Sequence, residues 1–383
     1  MANNNDKKVL NVPALRFPEF TGEWENITIR EACSEFQSGK NIKAEMINDQ
    51  GLYPVYGGNG LRGFTGSYNH DGDYILIGRQ GALCGNVRKV TGKTYVTEHA
   101  IAVCASKEHE TTFLQHLFQK MRLGQYSDQS AQPGLAVNKL LRLNINVPSK
   151  IEQGKMAKIL SLIDERITTQ NKIIEDLKKL KSAIVEMLLC NQSGESFKLG
   201  DVGCYVRGLT YANEDVTENK AATIVIRANN LNYGSHVDKR EVVYVNKTPT
   251  VSQILRKGDI VICMANGSST LVGKNSYYPF NDRQSTIGAF CGIYRTSNPL
   301  VKWLMQSQRY KRQVYQSLQG GNGAIANLNG DDILNMSFPL IEKEKSQSII
   351  FTIEAIEKSL VANKYIHRLY YTQKSYLLKQ MFI

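Results

Sequence analysis

From Met156 onward, apolar residues fall at alternating intervals of four and three: Met156, Leu160, Ile163, Ile167, Gln170, Ile174, Leu177, Lys181, Ile184 and Leu188. Such spacing lines one face of an α-helix, and over more than four heptads it is a coiled-coil a/d seam. The series returns 193 residues later as Ile349, Ile353, Ile356, Leu360, Asn363, His367, Tyr370, Lys374, Leu377 and Met381. The polar interruptions coincide, Gln170 with Asn363 and Lys181 with Lys374. Neither stretch contains proline, and glycine is absent from 155 to 193 and from 331 onward. Each helix is therefore predicted to run ~33 residues or more, roughly 50 Å. An isolated helix would expose its stripe, so the pattern predicts that the two bury their seams on each other. The packing positions are Leu160, Ile163, Ile167, Gln170, Ile174 and Leu177, with Ile353, Ile356, Leu360, Asn363, His367 and Tyr370. Gln170, Asn363 and His367 would fix register at a cost in stability. The periodicity leaves parallel and antiparallel pairing open.

The segments around the helices have another pattern. Residues 16–148 and 196–340 hold most glycines and all but one proline. Short β-like runs bounded by turn residues predict strands at 74–78, 94–97 and 100–104, and again at 223–227, 241–245 and 259–263. Helical patterns lie near 112–123 and 300–317. Each segment then passes a Gly/Asn/Gln-rich stretch, 130–138 or 319–327, and reaches a similar lead-in: Pro148 before Ile151-Glu152-Gln153, and Pro339 before Ile341-Glu342-Lys343. A period near 190 is half the chain, so the reading is a two-fold duplication. The predicted organisation is an N-terminal segment (1–15), domain 1 (16–148), helix 1 (149–192), domain 2 (193–340) and helix 2 (341–383). The length of 383 residues accommodates this at ~150 residues per domain.

Charge adds a partner. The net charge is +12, from 47 Lys+Arg against 35 Asp+Glu, a balance that suits a polyanion. Residues 16–148 carry 14 basic and 13 acidic groups, and residues 196–340 carry 16 and 10. The second segment should feel a phosphate backbone more strongly. No apolar run approaches the ~20 residues of a membrane span, and the polar N-terminus lacks a signal-peptide core. Seven cysteines with no CxxC pair fit reduced thiols and a cytoplasmic location.

No catalytic set is assembled. The nearest approach to a phosphate loop, Gly267 to Asn275, is one residue too long and ends in Asn where a metal-binding hydroxyl belongs. There is no GxGxxG unit after a strand, no Pro-Pro of an amino-methyltransferase tetrapeptide, and no HExxH. The pairs Asp331-Asp332 and Glu214-Asp215 lack a nearby lysine. The expectation is a chain that is not an enzyme and holds no cofactor or metal.

What remains are polar, glycine-flanked loops. Arg reads guanine, and Asn or Gln reads adenine, through paired hydrogen bonds in the major groove. Glycine lets backbone approach closely. The DNA-contact candidates are Asn59, Arg62, Arg79 and Gln80 in the first segment. In the second they are Arg207, Thr210, Tyr211, Arg227, Asn229, Asn230, Asn266, Ser268 and Lys274.

A domain, a Pro-x-x-x-Glu-Gln lead-in at Pro148–Gln153 and a long helix, all repeated once, resembles the specificity subunit of type I restriction–modification systems. The opening Pro13–Trp24 resembles the start of these subunits in staphylococci. Tyr53–Gly60 with Asp73–Gly81 resembles a common target-recognition domain. One departure is Glu342-Lys343 in place of Glu152-Gln153. The resemblance implies an α+β chain: two mixed α/β target-recognition domains in tandem, joined and separated by two long helices in an antiparallel coiled coil. It implies a non-catalytic protein that reads a bipartite, asymmetric double-stranded DNA site. It implies binding to two modification subunits, which carry S-adenosylmethionine and methylate adenine at N6. Restriction subunits would supply ATP- and Mg-dependent translocation and cleavage. A competing expectation is a basic coiled-coil protein that binds RNA and has no tie to restriction.

Overall fold

The structure, a computed structural model, describes residues 11–128, 134–190, 194–282, 284–318 and 326–383. Residues 130–133 of the first Gly/Asn/Gln-rich stretch and 319–325 of the second lie outside the described residues. The chain divides into two compact units, Met1–Lys172 with Lys364–Ile383, and Ile173–Asn363.

In the first unit the elements are β1 (Glu25–Thr28), α1 (Ile29–Ala32), β2 (Cys33–Ser38), β3 (Tyr53–Gly57), β4 (Gly60–Thr65), β5 (Asp73–Gly78), β6 (Val87–Thr91), β7 (Tyr95–Val96), β8 (Ala100–Ala105), α2 (Thr111–Met121), α3 (Val137–Leu140) and β9 (Asn144–Val147). They lead into α4 (Lys150–Val185). The main sheet has strand order β2-β8-β5-β6, and a smaller one has β4-β3-β7 with β3 parallel to β7. β1 pairs antiparallel with β9. β5 is a continuous apolar run because both its faces are covered. Ile75 and Ile77 pack with Phe113, Leu114 and Phe118 of α2, while Leu76 packs with Val96 and Ala102.

The second unit repeats the plan. Its elements are β10 (Ser196–Lys198), α5 (Leu199–Val202), β11 (Gly203–Arg207), β12 (Val216–Thr217), β13 (Thr223–Ile226), β14 (Val243–Val245), β15 (Ile260–Cys263), β16 (Ala265–Asn266), β17 (Asn275–Tyr277), β18 (Ser285–Ile287), β19 (Cys291–Thr296), α6 (Val301–Leu304), α7 (Gln308–Leu318), β20 (Ala326–Asn327), α8 (Gly330–Leu334), β21 (Ser337–Pro339) and α9 (Lys343–Gln380). Its main sheet runs β11-β19-β15-β17, matching β2-β8-β5-β6 position for position. The small sheet again contains a parallel pair, β13 with β18, and β10 pairs antiparallel with β21 as β1 does with β9. Two predicted elements differ. The helical pattern at 300–317 is broken into α6 and α7, because the Ser307 hydroxyl accepts from the Tyr310 amide at 3.1 Å and starts a new helix. The strand expected from Glu241 begins only at Val243, because the Asn230 side chain claims the Glu241 carbonyl at 2.9 Å.

The long helices are welded into the cores. In the first unit Met156, Ala157 and Leu160 of α4 share a core with Met381 and Phe382 beyond α9, and Lys374 Nζ meets Asp164 Oδ1 at 2.6 Å. In the second unit Ile174 packs with Ile356 and Leu360, Lys181 Nζ meets Glu357 Oε1 at 2.6 Å, and Val185 and Leu189 share a core with Ile349 and Ile353. Within each unit the partners on or just beyond α9 move back along that helix as α4 advances, from Met381 to Lys374 in the first unit and from Leu360 to Ile349 in the second, so the helices run antiparallel. Leu160, Ile163, Ile167, Gln170, Ile174, Ile353, Ile356 and Leu360 are buried, while Leu177, Asn363, His367 and Tyr370 are half-buried. α4 widens to a π-turn at Glu186–Cys190.

The two lead-ins are not equivalent. Glu152 lies in the first turn of α4, buried, and accepts two hydrogen bonds from Arg16 at 2.8 Å. Gln153, also buried, donates to the Pro148 carbonyl and accepts from the Glu110 amide. Glu342 instead precedes α9, is exposed, and pairs with Lys345. The helix starts, 150 and 343, keep the 193-residue offset of the heptads, whereas the Ile-Glu motif is offset by 190. The motif therefore sits one helical turn earlier in the second repeat.

Candidate nucleic-acid interface

The loops at one end of each main sheet are held by the same backbone frame. In the first unit the Thr97 amide donates to Tyr56, Ala100 to Thr97, Arg79 to His99 and Leu135 to Arg79, all within 3.0 Å. In the second unit Gly288 donates to Ile226, Cys291 to Gly288, Met264 to Phe290 and Leu328 to Met264, again within 3.0 Å. Backbone hydrogen bonds do not depend on side-chain identity, so this frame can be kept while the residues it presents change.

In the first unit the frame gathers the β3–β4 turn and the end of β5. A Cβ on Gly78 would lie 2.4 Å from the Leu83 carbonyl and 3.0 Å from that of Gly58, so only glycine lets these loops meet. Asn59, Arg62 and Gln80 are exposed and Arg79 is half-buried. Gln80 Oε1 lies 3.1 Å from His99 Nδ1, which orients the amide. Arg62 folds back over Gly57, and the Arg88 guanidinium lies against Gly60. Arg79, Gln80 and Asn59 are thereby brought to one polar tip, with Arg88 and His99 added.

In the second unit the frame borders two clefts. One, of 560 Å³, is lined by Tyr211, Arg227, Asn229, Asn266 and Phe290, among others. The other, of 350 Å³, is lined by Arg207, Asn327, Asn329 and Phe290, among others. The loops close up at Gly208, where a Cβ would lie 2.1 Å from the Gly288 carbonyl. The expected residues Arg207, Tyr211, Arg227, Asn229 and Asn266 thus line adjoining clefts. Thr210 and Ser268 are exposed and Lys274 is half-buried, and among the described residues none of the three lines these clefts.

Asn230 is a correction. It is buried, its oxygen accepts from the Arg227 amide at 2.9 Å, and its nitrogen donates to the carbonyls of Asp238 and Glu241. With these bonds made inside the fold, it shapes the turn that carries Arg227 and Asn229 and has no face for a base. Asn266 is partly occupied too, its oxygen accepting from the Ser268 amide. Phe290 and His99 escaped the sequence reading, because neither is an amide or a cation in a glycine-flanked loop. A usable signal existed. Both immediately precede the strand that follows the short parallel strand, three residues lying between Val96 and Ala100 and between Ile287 and Cys291.

Residues 21–179 match the family described as Type I restriction modification DNA specificity domain. The chain is 40% identical over 173 residues to the Type I restriction enzyme EcoprrI specificity subunit of Escherichia coli, an alignment covering 44% of this chain and 42% of that protein. It is 30% identical over 150 residues to the EcoKI specificity subunit of Escherichia coli K12, covering 37% and 31%. The alignments thus span less than half the length of these two relatives. The fold as a whole is shared with the type I restriction–modification S subunit from M. genitalium, at a TM-score of 0.64 and 16% identity over 97% of this chain and 99% of that one. Among the described residues, no group of three or more His, Cys, Asp or Glu could hold a metal ion, and no helix is long and apolar enough to cross a membrane.

Proposed function

We propose that this chain is the non-catalytic specificity subunit of a type I restriction–modification system, reading a bipartite double-stranded DNA site. The observation that carries the reading is the repeated frame: eight backbone hydrogen bonds, four in each unit, present different polar side chains on equivalent loops. A duplicated scaffold with unlike tips suits a site whose halves differ. Residues 16–148 and 193–340 are then the target-recognition domains, and 149–192 with 341–383 the spacer helices. The net charge of +12 supplies attraction for phosphate that does not depend on sequence. Asn59, Arg62, Arg79 and Gln80, with Arg207, Tyr211, Arg227, Asn229 and Asn266, are the base and backbone contacts. Two modification subunits bring S-adenosylmethionine to adenine N6, and restriction subunits bring ATP- and Mg-dependent cleavage, all in the cytoplasm.

The test is the map of methylated adenines in cells carrying this gene with a neighbouring methyltransferase gene, compared with cells lacking it. A split motif should appear with the gene, and exchanging residues 196–335 for another such domain should change one half only. Loss of the gene without loss of any methylated motif, or a swap that alters both halves, refutes the reading.

A further inference from the structure

Phe290 is 69% exposed in a loop whose backbone is fixed at both ends, its carbonyl accepting from Met264 at 2.8 Å while the next amide, of Cys291, donates to Gly288 at 2.9 Å. A phenyl ring left in water forfeits the burial that normally stabilises it. The ring forms part of the wall of both clefts of the second unit. Hydrogen-bonding side chains line the clefts with it, Arg227 and exposed Asn229 in one and Arg207 in the other. A rigidly presented apolar ring among groups that read base edges has one natural counterpart in a DNA major groove, the 5-methyl of thymine. Asparagine pairs with adenine N6 and N7, and the thymine methyl lies on the same edge of the same base pair. We propose that Phe290 is a specificity-determining residue of the second unit, packing on a thymine methyl while Asn229 reads the adenine paired with it.

The inference rests on the reading of this chain as a DNA specificity subunit. In the first unit the equivalent position holds His99, bonded to Gln80, so the apolar contact belongs to the second half-site alone.

The experiment uses the full chain assembled with its methyltransferase partner and duplexes in which each thymine of the mapped site is replaced singly by deoxyuridine. Removing one methyl at one position of the second half-site should weaken binding about four-fold, the worth of one buried methyl group. Phe290→Ala should bind the thymine duplex more weakly and treat thymine and uracil alike at that position. Phe290→Leu should keep the preference. Because the ring is exposed, neither variant should disturb folding. Specific binding without a thymine preference in the second half-site overturns the inference alone, as does a preference that survives in Phe290→Ala. Uniform weakening of Phe290→Ala on all duplexes also overturns it, assigning the ring to stacking or backbone contact. An assembly with no sequence preference at all overturns both the inference and the functional reading.

Discussion

Replacing Arg16 by alanine should unfold the first unit far more readily than its position near the N-terminus suggests. Arg16 Nε and its terminal nitrogen each bond a Glu152 oxygen at 2.8 Å, and another guanidinium nitrogen donates to the Gly22 carbonyl at 2.6 Å. The side chains are 16% and 2% exposed. Removing one partner of a buried ion pair leaves an uncompensated charge, at a cost of about 3–5 kcal/mol. Water that reaches the Arg16 side lowers this, so the expected loss is about 2–4 kcal/mol. The assay is urea unfolding followed by tryptophan fluorescence. The chain has two tryptophans, Trp24 in the first unit and Trp303 in the second, so a Trp303→Phe background isolates the first. With a urea slope of roughly 1–3 kcal/mol/M, Arg16→Ala should move the Trp24 midpoint down by about 1–2 M. The double variant Arg16→Met with Glu152→Leu removes both charges and should recover most of the loss. A single-variant shift below about 0.3 M, or a double variant as unstable as the single, refutes the role given to this pair.

Three further outcomes are expected. Arg79→Ala, assembled with its methyltransferase partner, should lose about 1–3 kcal/mol at one base position and relax specificity there; uniform weakening with a salt slope reduced by about one would make Arg79 a phosphate contact. Asn230→Ala should cost the second unit about 1–3 kcal/mol by orphaning buried backbone groups, while the folded protein keeps its base preference in the same binding assay. Burial, reinforced by Lys374 and opposed by Asp164, holds the His116 imidazole down at about 4. Its neutral form therefore stabilises the first unit fully above about pH 6.5, and this contribution fades as pH falls toward 4, by on the order of 3 kcal/mol. His116→Leu should flatten that part of the pH profile in urea titrations.

The helices were legible because a heptad depends only on periodicity, and their 193-residue offset survives in the structure. Their direction was not, because a symmetric seam looks alike both ways; ion pairs such as Asp164–Lys374 distinguish the orientations and are separated by 210 residues. The strands 74–78, 100–104 and 259–263 were legible as apolar runs. Of the small parallel pairs, β7 and β13 lay within predicted strands, but the three-residue β18 did not, and parallel pairing between residues about 40 to 60 apart leaves no periodic signal. Asn230 looked like Asn229 in sequence. Only the fold shows that one of the adjacent amides turns inward to cap the loop while the other faces solvent.

The matched frames also rank the candidate contacts. Arg79 and Met264 occupy equivalent positions, each accepting from a leucine amide and donating to the carbonyl of His99 or Phe290. Met264 is buried in the core of its unit, so this position is free to face a base in the first unit and is spent on packing in the second. Asn59 and Asn229 behave differently. Each lies three residues beyond the strand end that pairs with the short parallel strand, at Tyr56↔Val96 and Ile226↔Ile287, and each is exposed. The same residue type therefore recurs at the same place on two loops of otherwise different sequence, Gly57-Gly58-Asn59 and Arg227-Ala228-Asn229. Since backbone geometry alone is satisfied by either loop, what they share is the amide offered to solvent. An amide in a major groove reads adenine, so under the function proposed above Asn59 and Asn229 are expected to read the two half-sites in the same way, with Arg79, Arg227 and Phe290 telling them apart.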